Sequence, residues 1–300
     1  LHEGCQRAGE ALVTWAILAL GAAVTQGAQF AVVKGGARHI PPFVLIFWVQ
    51  ALGVTAWSAY FVVTGRPVAV PPAAWPWVAA AVALSGSMMS LLILASARGD
   101  ISIVGPVLAL SPAFAIVPDW VVSGTLPHGL GWVGLALSVT GTVMLGRAGG
   151  ARLGLRALFA RVDALAALGG AILLGVLTAV DRRNAMTLGV PSYLLALHGS
   201  VAVLCAVVVA VRSRRAFVAT LPPRQLAIVL GHAALTVLGN NLLVAAMTLA
   251  PGAYVAAVRR TSAVFAVLLG RALFAEAGFG GRLAGAVVTC LGVALLVMAR

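Results

Sequence analysis

Residues 246–296 read AMTLAPGAYVAAVRRTSAVFAVLLGRALFAEAGFGGRLAGAVVTCLGVALL, and residues 95–145 read ASARGDISIVGPVLALSPAFAIVPDWVVSGTLPHGLGWVGLALSVTGTVML. Shifted by 151, the two stretches align without a gap over 51 positions with ten identities. The order of the shared residues says more than their number. Ser111, Phe114 and Ala115 meet Ser262, Phe265 and Ala266; Gly129, Gly134 and Gly141 then meet Gly280, Gly285 and Gly292. The first parts of each half match more faintly, Pro42 with Pro191 and Lys34 with Arg183 at a shift of 149. The chain is a tandem duplication.

What is duplicated is set of membrane spans. The sequence is 62% hydrophobic and 9% charged, against roughly 45–50% and about 25% in soluble domains. Mean hydropathy is +1.07. Continuous apolar runs such as Val201–Val211 and Leu283–Met298 exclude a transmembrane β-barrel, whose strands alternate apolar and polar residues. Breaks at Pro, Gly and Arg clusters predict helices near 11–33, 43–64, 73–97, 101–122, 129–147, 163–184, 190–211, 225–249, 253–274 and 282–299. The expectation is an all-α integral membrane protein of ten transmembrane helices, with a first repeat over 1–147, a connection over 148–162 and a second repeat over 163–300. Arg152, Arg156 and Arg161 give that connection the pattern of a short interfacial amphipathic turn. A repeat with an odd number of spans, duplicated in one chain, inserts in opposite orientations. Two inverted five-helix repeats are the plan of secondary transporters, with substrate held near the midplane.

The net charge of +13 comes from 19 Arg and one Lys scattered between apolar runs. No basic domain exists to follow a nucleic-acid backbone, so nucleic acid is excluded as a partner; the charges flank spans. Cys5, Cys205 and Cys290 have no metal-ligand spacing, and no metal or cofactor is implied. The first apolar run is too long for a signal-peptide core and is read as a retained span. No Gly-x-Ser-x-Gly or His-Glu-x-x-His occurs, which argues against an intramembrane enzyme.

Three stretches resemble the drug/metabolite transporter superfamily, in particular ten-helix proteins with two EamA-type repeats. Gln26-Gly-Ala-Gln-Phe-Ala-Val-Val-Lys34 is similar to the end of the family's first helix, with Gln26 in place of a Trp. Residues 95–141, through Ser111-Pro-Ala-Phe114, resemble helices three to five. Residues 246–292, through Arg260-Thr-Ser262-Ala-Val-Phe265 and Glu276, resemble helices eight to ten. Glu276 fits the family's Gly-Glu position after the fourth helix of a repeat, whereas Gly124-Thr125 stands there in the first. Trp48 and Gln50 occupy the region of the family's second-helix Arg. The resemblance implies export or exchange of small organic metabolites or drugs, often gradient-coupled, in the inner cell membrane, and no soluble cofactor. A lipid-phosphate flippase of the same fold is the alternative, and a homodimer is compatible with the pattern.

Polar groups within spans are costly and therefore functional candidates. Arg259 and Arg260 fall about 10 Å into the ninth span at ~1.5 Å per residue. An uncompensated Arg there costs ~2.5–3.5 kcal/mol on insertion scales. One of them binding an anionic or carbonyl-bearing substrate is the functional reading; snorkelling, or pairing with Asp181, is the structural one. Gln26 and Gln29 share a face of the first span, with Trp15 on the same stripe. Gln50 and Trp57 share a face of the second. His232, Asn240 and Asn241 add polar groups to the eighth. These nine residues, Arg259 and Arg260 included, form the predicted substrate-binding set. Asp119, Asp181 and His198 are the predicted proton-coupling residues, since burial and neighbours move such groups into the working pH range. Pro106, Pro112 and Pro118 predict a bent fourth span, whereas the ninth carries Ala257, Ala263 and Leu269 at those positions. The expectation is that the fourth span gates and the ninth binds.

Orientation is contested. The side shared with the termini holds Arg7, Arg66, Arg182, Arg183 and Arg300; the other holds twelve basic residues. The positive-inside rule puts the termini outside, and the family resemblance puts them inside.

Overall fold

Prolines start the helices of this chain and glycines stop them. Pro42 opens one helix as its first residue, and Pro223 opens another, where the missing N–H costs no intrahelical bond. Gly124 (φ 68°) follows a helix with its N–H donating to the Trp120 carbonyl at 2.7 Å, and Gly189 (φ 75°) turns the chain between two long helices. Both need the left-handed conformation that other residues disfavour.

The computed structural model describes residues 2–35, 42–98, 107–124, 126–148, 162–212, 222–274 and 279–299. The elements are α1 (His2–Gly35), α2 (Pro42–Thr64), a 3₁₀ turn (Pro72–Ala74), α3 (Trp75–Arg98), α4 (Ser111–Ser123), α5 (Leu130–Ala148), α6 (Val162–Leu188), α7 (Val190–Arg212), α8 (Pro223–Leu249), α9 (Gly252–Arg259), α10 (Ser262–Phe274) and α11 (Phe279–Met298). The protein is all-α, with no strand among the described residues. Pro106, Glu276 and the basic connection at 149–161 lie outside them.

Among the described residues five helices have the length and apolarity to cross a membrane: Leu45–Thr64, Pro72–Leu92, Val162–Leu188, Val190–Val207 and Pro223–Leu249. Ser111–Val122, Leu130–Met144 and Ala284–Met298 are shorter apolar helices. Large apolar side chains face outward, with Val62 and Val63 more than four-fifths exposed. Trp75, Trp77, Trp120 and Trp132 are exposed at the start of α3, the end of α4 and the start of α5. Such a belt marks one membrane–water interface.

Packing follows the duplication. Matching α1–α5 to α6, α7, α8, α9 with α10, and α11, the most extensive contacts between the two halves have exchanged counterparts. α1 packs on α8 and α3 on α6; α2 packs on α7; α4 packs on α6 and α1 on α9 and α10; α5 packs on α11. The α5–α11 seam shows the exchange residue by residue. A methyl group on Gly134 would lie 2.8 Å from the Gly292 carbonyl oxygen, and one on Gly141 would lie 2.7 Å from that of Gly285. Gly134 thus meets the counterpart of Gly141, and Gly141 the counterpart of Gly134. Numbers rise along one helix as they fall along the other, so the helices are antiparallel and the contact is self-complementary, as across a twofold axis. Small residues let the backbones approach this closely. Away from the seam, Gly21 faces Leu242, and in the exchanged pair Gly169 and Gly170 face Leu91 and Leu92.

The fourth span, where prolines predict a bend, is interrupted, and the ninth is interrupted at the equivalent place with Ala263 where the fourth has Pro112. Leu110 N–H donates to the Val107 carbonyl at 3.1 Å, and Thr261 N–H to that of Val258 at 3.0 Å. Ala113 and Val264 then donate to the carbonyls of Leu110 and Thr261 at 3.0 and 2.8 Å. These bonds span three residues instead of four, the signature of a tightened turn. Proline is no requirement for it.

Candidate functional site

The interruption after α9 leaves Arg259 at a helix end inside the bundle, with Arg260 in the turn. Arg259 Nε donates to Gln26 Oε1 at 3.1 Å, tying the broken helix to α1. Asp181 of α6 lies within electrostatic reach of the same guanidinium. Its Oδ1 accepts a hydrogen bond from the Tyr193 hydroxyl of α7. One amide, one guanidinium, one carboxylate and one phenol, carried by four helices, thus converge. Gln26, Asp181 and Arg259 keep part of their surface accessible although they sit among helices. Tyr193 is fully buried and packs with Leu177, Val180 and Leu194, with Trp57 against them. An apolar wall with a few placed polar groups is the ordinary composition of a small-molecule site.

Arg260 is half-buried, and its Nε has no hydrogen-bond partner. Among the described residues the like charge of Arg259 acts on it.

A second polar pair joins α2 to α7. His198 Nδ1 and Gln50 Oε1 are 2.6 Å apart. The imidazole lies flat on the α2 backbone, since a methyl group on Gly53 would fall 2.6 Å from its Cγ. His198 Nε2 is buried without a partner.

The α8 residues are placed less centrally. Gln29 and Thr25 face α8 at Gly239, beside the half-buried Asn240. Asn241 Nδ2 donates to the Val237 carbonyl of its own helix at 3.2 Å. His232 is half-buried with Nδ1 unpartnered, two turns before Asn240. Trp15 is fully buried in the cluster formed with Met247, Tyr254 and Leu296, which is packing and not a site wall.

Asp119 sits elsewhere. Its Oδ1 accepts from Arg182 Nη1 at 3.0 Å, and its Oδ2 accepts from the Gly252 N–H at 2.8 Å. Arg182 Nε donates to the Met247 carbonyl at 3.1 Å. Both side chains are more than nine-tenths buried. The carboxylate caps the start of α9, where a helix terminus favours negative charge. It thereby ties α4 to α6, α8 and α9 one residue from the exposed Trp120. Beside it, the Arg183 guanidinium stacks 3.8 Å over the Trp77 ring.

Two residues of these polar contacts escaped the sequence reading, Tyr193 and Arg182. Arg182 belongs to an Asp-Arg-Arg run near a span end, where an interfacial role is the natural expectation. Its partner is 63 residues away.

Residues 13–147 match the EamA-like transporter family. By that match the first half of the chain is EamA-like, the type found in the drug/metabolite transporter superfamily. A protein of known crystal structure is similar with a TM-score of 0.76 and 18% identity, over 94% of this chain and 96% of that one; it shares the fold. No curated protein matches the sequence significantly. An EamA-type chain with several long apolar helices is an integral multi-pass membrane protein, and the family points to small-molecule transport in place of catalysis.

Proposed function

We propose that this EamA-type protein is a secondary transporter of small organic molecules that works by alternating access between two inverted five-helix repeats, residues 1–147 and 163–300. The exchanged contact pattern and the antiparallel Gly134–Gly292 and Gly141–Gly285 seam support the inverted plan. Substrate binds where Gln26, Asp181, Tyr193, Trp57 and Arg259 meet, beside the interrupted ninth span. Broken helices with binding groups at the break are the usual construction of a transporter midplane site.

The observation that carries this reading is the Arg259–Gln26 hydrogen bond between the two halves. Arg259 is the group that a carboxylate or phosphoryl oxygen would take over, bidentately where the anion is planar. Asp181 is its internal counter-charge and the proton-carrying candidate, with Tyr193 holding the carboxylate in place. Asp119 and Arg182 act differently: paired and capped, they hold α4, α6, α8 and α9 together at the aromatic belt and close the site on that side. The membrane of residence is the inner cell membrane.

Proteoliposome uptake and efflux of a metabolite panel, with and without a pH gradient, tests the reading. Arg259→Gln abolishes flux of anionic compounds at least tenfold while the protein still elutes as a folded species. Unchanged flux in Arg259→Gln places the site elsewhere.

A further inference from the structure

Seven acidic residues have to compensate every buried cation in this chain, and the structure places most of them away from the centre. Glu3 and Glu10 lie in the first turns of α1, and Asp163 in the first turn of α6. Asp119 is taken by Arg182 and the start of α9. At the break in the ninth span Asp181 is the one carboxylate within electrostatic reach among the described residues, facing Arg259. Arg259 has a neutral partner in Gln26. Arg260 has an unpartnered Nε and the like charge of Arg259 in its reach. With Asp181 ionised the empty site therefore holds, among the described residues, two positive charges against one negative, and a bound monoanion makes that balance neutral.

We infer that the protein is an obligatory exchanger of organic monoanions, with the unpaired charge of Arg260 preventing the empty site from changing sides. This rests on the transport reading above and adds the valence of the substrate and the mode of transport. The physical reason is that a net charge moved through a low-dielectric interior is penalised, whereas a neutral ensemble is not. A loaded site crosses; an empty one waits for the next anion. A zwitterion leaves the imbalance in place, and a dianion reverses it, so monoanions cross fastest. The first repeat carries no such charge: Leu108 and Ala109 stand where Arg259 and Arg260 stand in the second. The asymmetry lies in the side chains and not in the backbone, which is broken alike in both.

The test uses the full chain in liposomes loaded with radiolabelled lactate or benzoate, the membrane potential clamped with potassium and valinomycin. Efflux is measured into anion-free buffer and into buffer holding the same unlabelled anion. The expected result is efflux at least tenfold faster with the external anion present. Arg260→Gln neutralises the empty site, so efflux into anion-free buffer rises to within about threefold of exchange. Arg260→Lys keeps the charge and keeps the tenfold ratio, which separates loss of charge from loss of fold. Equal efflux in the two buffers for the unmodified protein overturns the exchange inference while leaving transport intact. Absence of lactate and benzoate flux in both buffers, with other compounds of the metabolite panel still transported, overturns the monoanion inference alone; absence of flux for the whole panel overturns the transport reading with it.

Discussion

Replacing Asp119 by Asn should loosen one end of the bundle and leave its centre intact. The perturbation is nearly isosteric, so packing is kept and the charge alone is lost. Arg182 is then a buried cation whose remaining partner is the Met247 carbonyl. Removing one member of a buried pair costs about 3–5 kcal/mol. Exposure of the two side chains is 9% and 2%, so solvent screening takes little away. The Asn oxygen still accepts one hydrogen bond, from Gly252 or from Arg182, which puts the loss near the lower end, about 3 kcal/mol. At about 1.4 kcal/mol per tenfold, opening of this end becomes about a hundredfold more populated. Hydrogen exchange of the amides from Gly252 to Val258 reads this directly, since Gly252 N–H is itself one of the bonds lost or shared. Protection in α5 and α11 should stay unchanged. Arg182→Met alone removes the ion-pair partner of Asp119 and should cost a similar amount. In the double variant both charges are gone, so its loss is smaller than the sum by at least ~2 kcal/mol. Additive losses, or a change below about 0.5 kcal/mol in Asp119→Asn, would refute the lock.

The seam between α5 and α11 makes a prediction about symmetry. Gly141→Val and Gly292→Val each press a side chain into a facing backbone, at Gly285 and Gly134, and overpacking of this kind costs about 1–3 kcal/mol. Because the two positions are repeat equivalents, their losses in thermal unfolding should agree within about 1 kcal/mol; a harmless change at either breaks the argument. Tyr193→Phe removes the hydroxyl that holds Asp181. A hydrogen bond to a charged group contributes about 1.5–3 kcal/mol, so thermal stability should fall by about that much and monoanion exchange should slow by about tenfold or more, measured in the same liposomes.

The parts of this fold that were legible in the sequence are those decided locally or by internal comparison. Apolar runs bounded by Pro and Gly place the helices, because lipid demands continuous apolar length and prolines cannot sit comfortably inside it. The repeat alignment places the Gly134, Gly141, Gly285 and Gly292 seam, because close approach of helices requires small residues at fixed spacing. Arg259 stood out because a charge in an apolar run has few innocent explanations. What could not be read is which distant partner each polar group finds. Asp119 and Asp181 look alike in sequence, each near a span end, yet one is consumed by Arg182 and the other faces Arg259. The difference lies in which helix faces meet, and a single sequence does not encode that in any local pattern. Tyr193 passed unnoticed because a tyrosine in a span reads as packing until a carboxylate is found on its hydroxyl.

The break in the fourth span shows how a local rule can be correct and still misassign the cause. Three prolines in thirteen residues argue for a bend, and the fourth span is indeed interrupted. The ninth is interrupted at the equivalent place with Ala263 where the fourth has Pro112. There the Ala263 N–H donates to the Arg260 carbonyl at 3.1 Å, so the turn forms with the donor present. A neighbour contributes more than the missing donor does. Ser138 of α5 donates to the Ala257 carbonyl at 3.3 Å, the acceptor that a continuous helix would offer to Thr261. Ser111 and Ser262, both buried at the start of the following helix, are the residues the two breaks share. Pro112→Ala should therefore leave the turn at Ala109–Leu110 in place, with hydrogen exchange of Ala113 and Phe114 changed by less than tenfold and transport retained. A fourth span that becomes continuous in this variant, seen as strong new protection across those amides, would return the break to proline and remove the argument from symmetry.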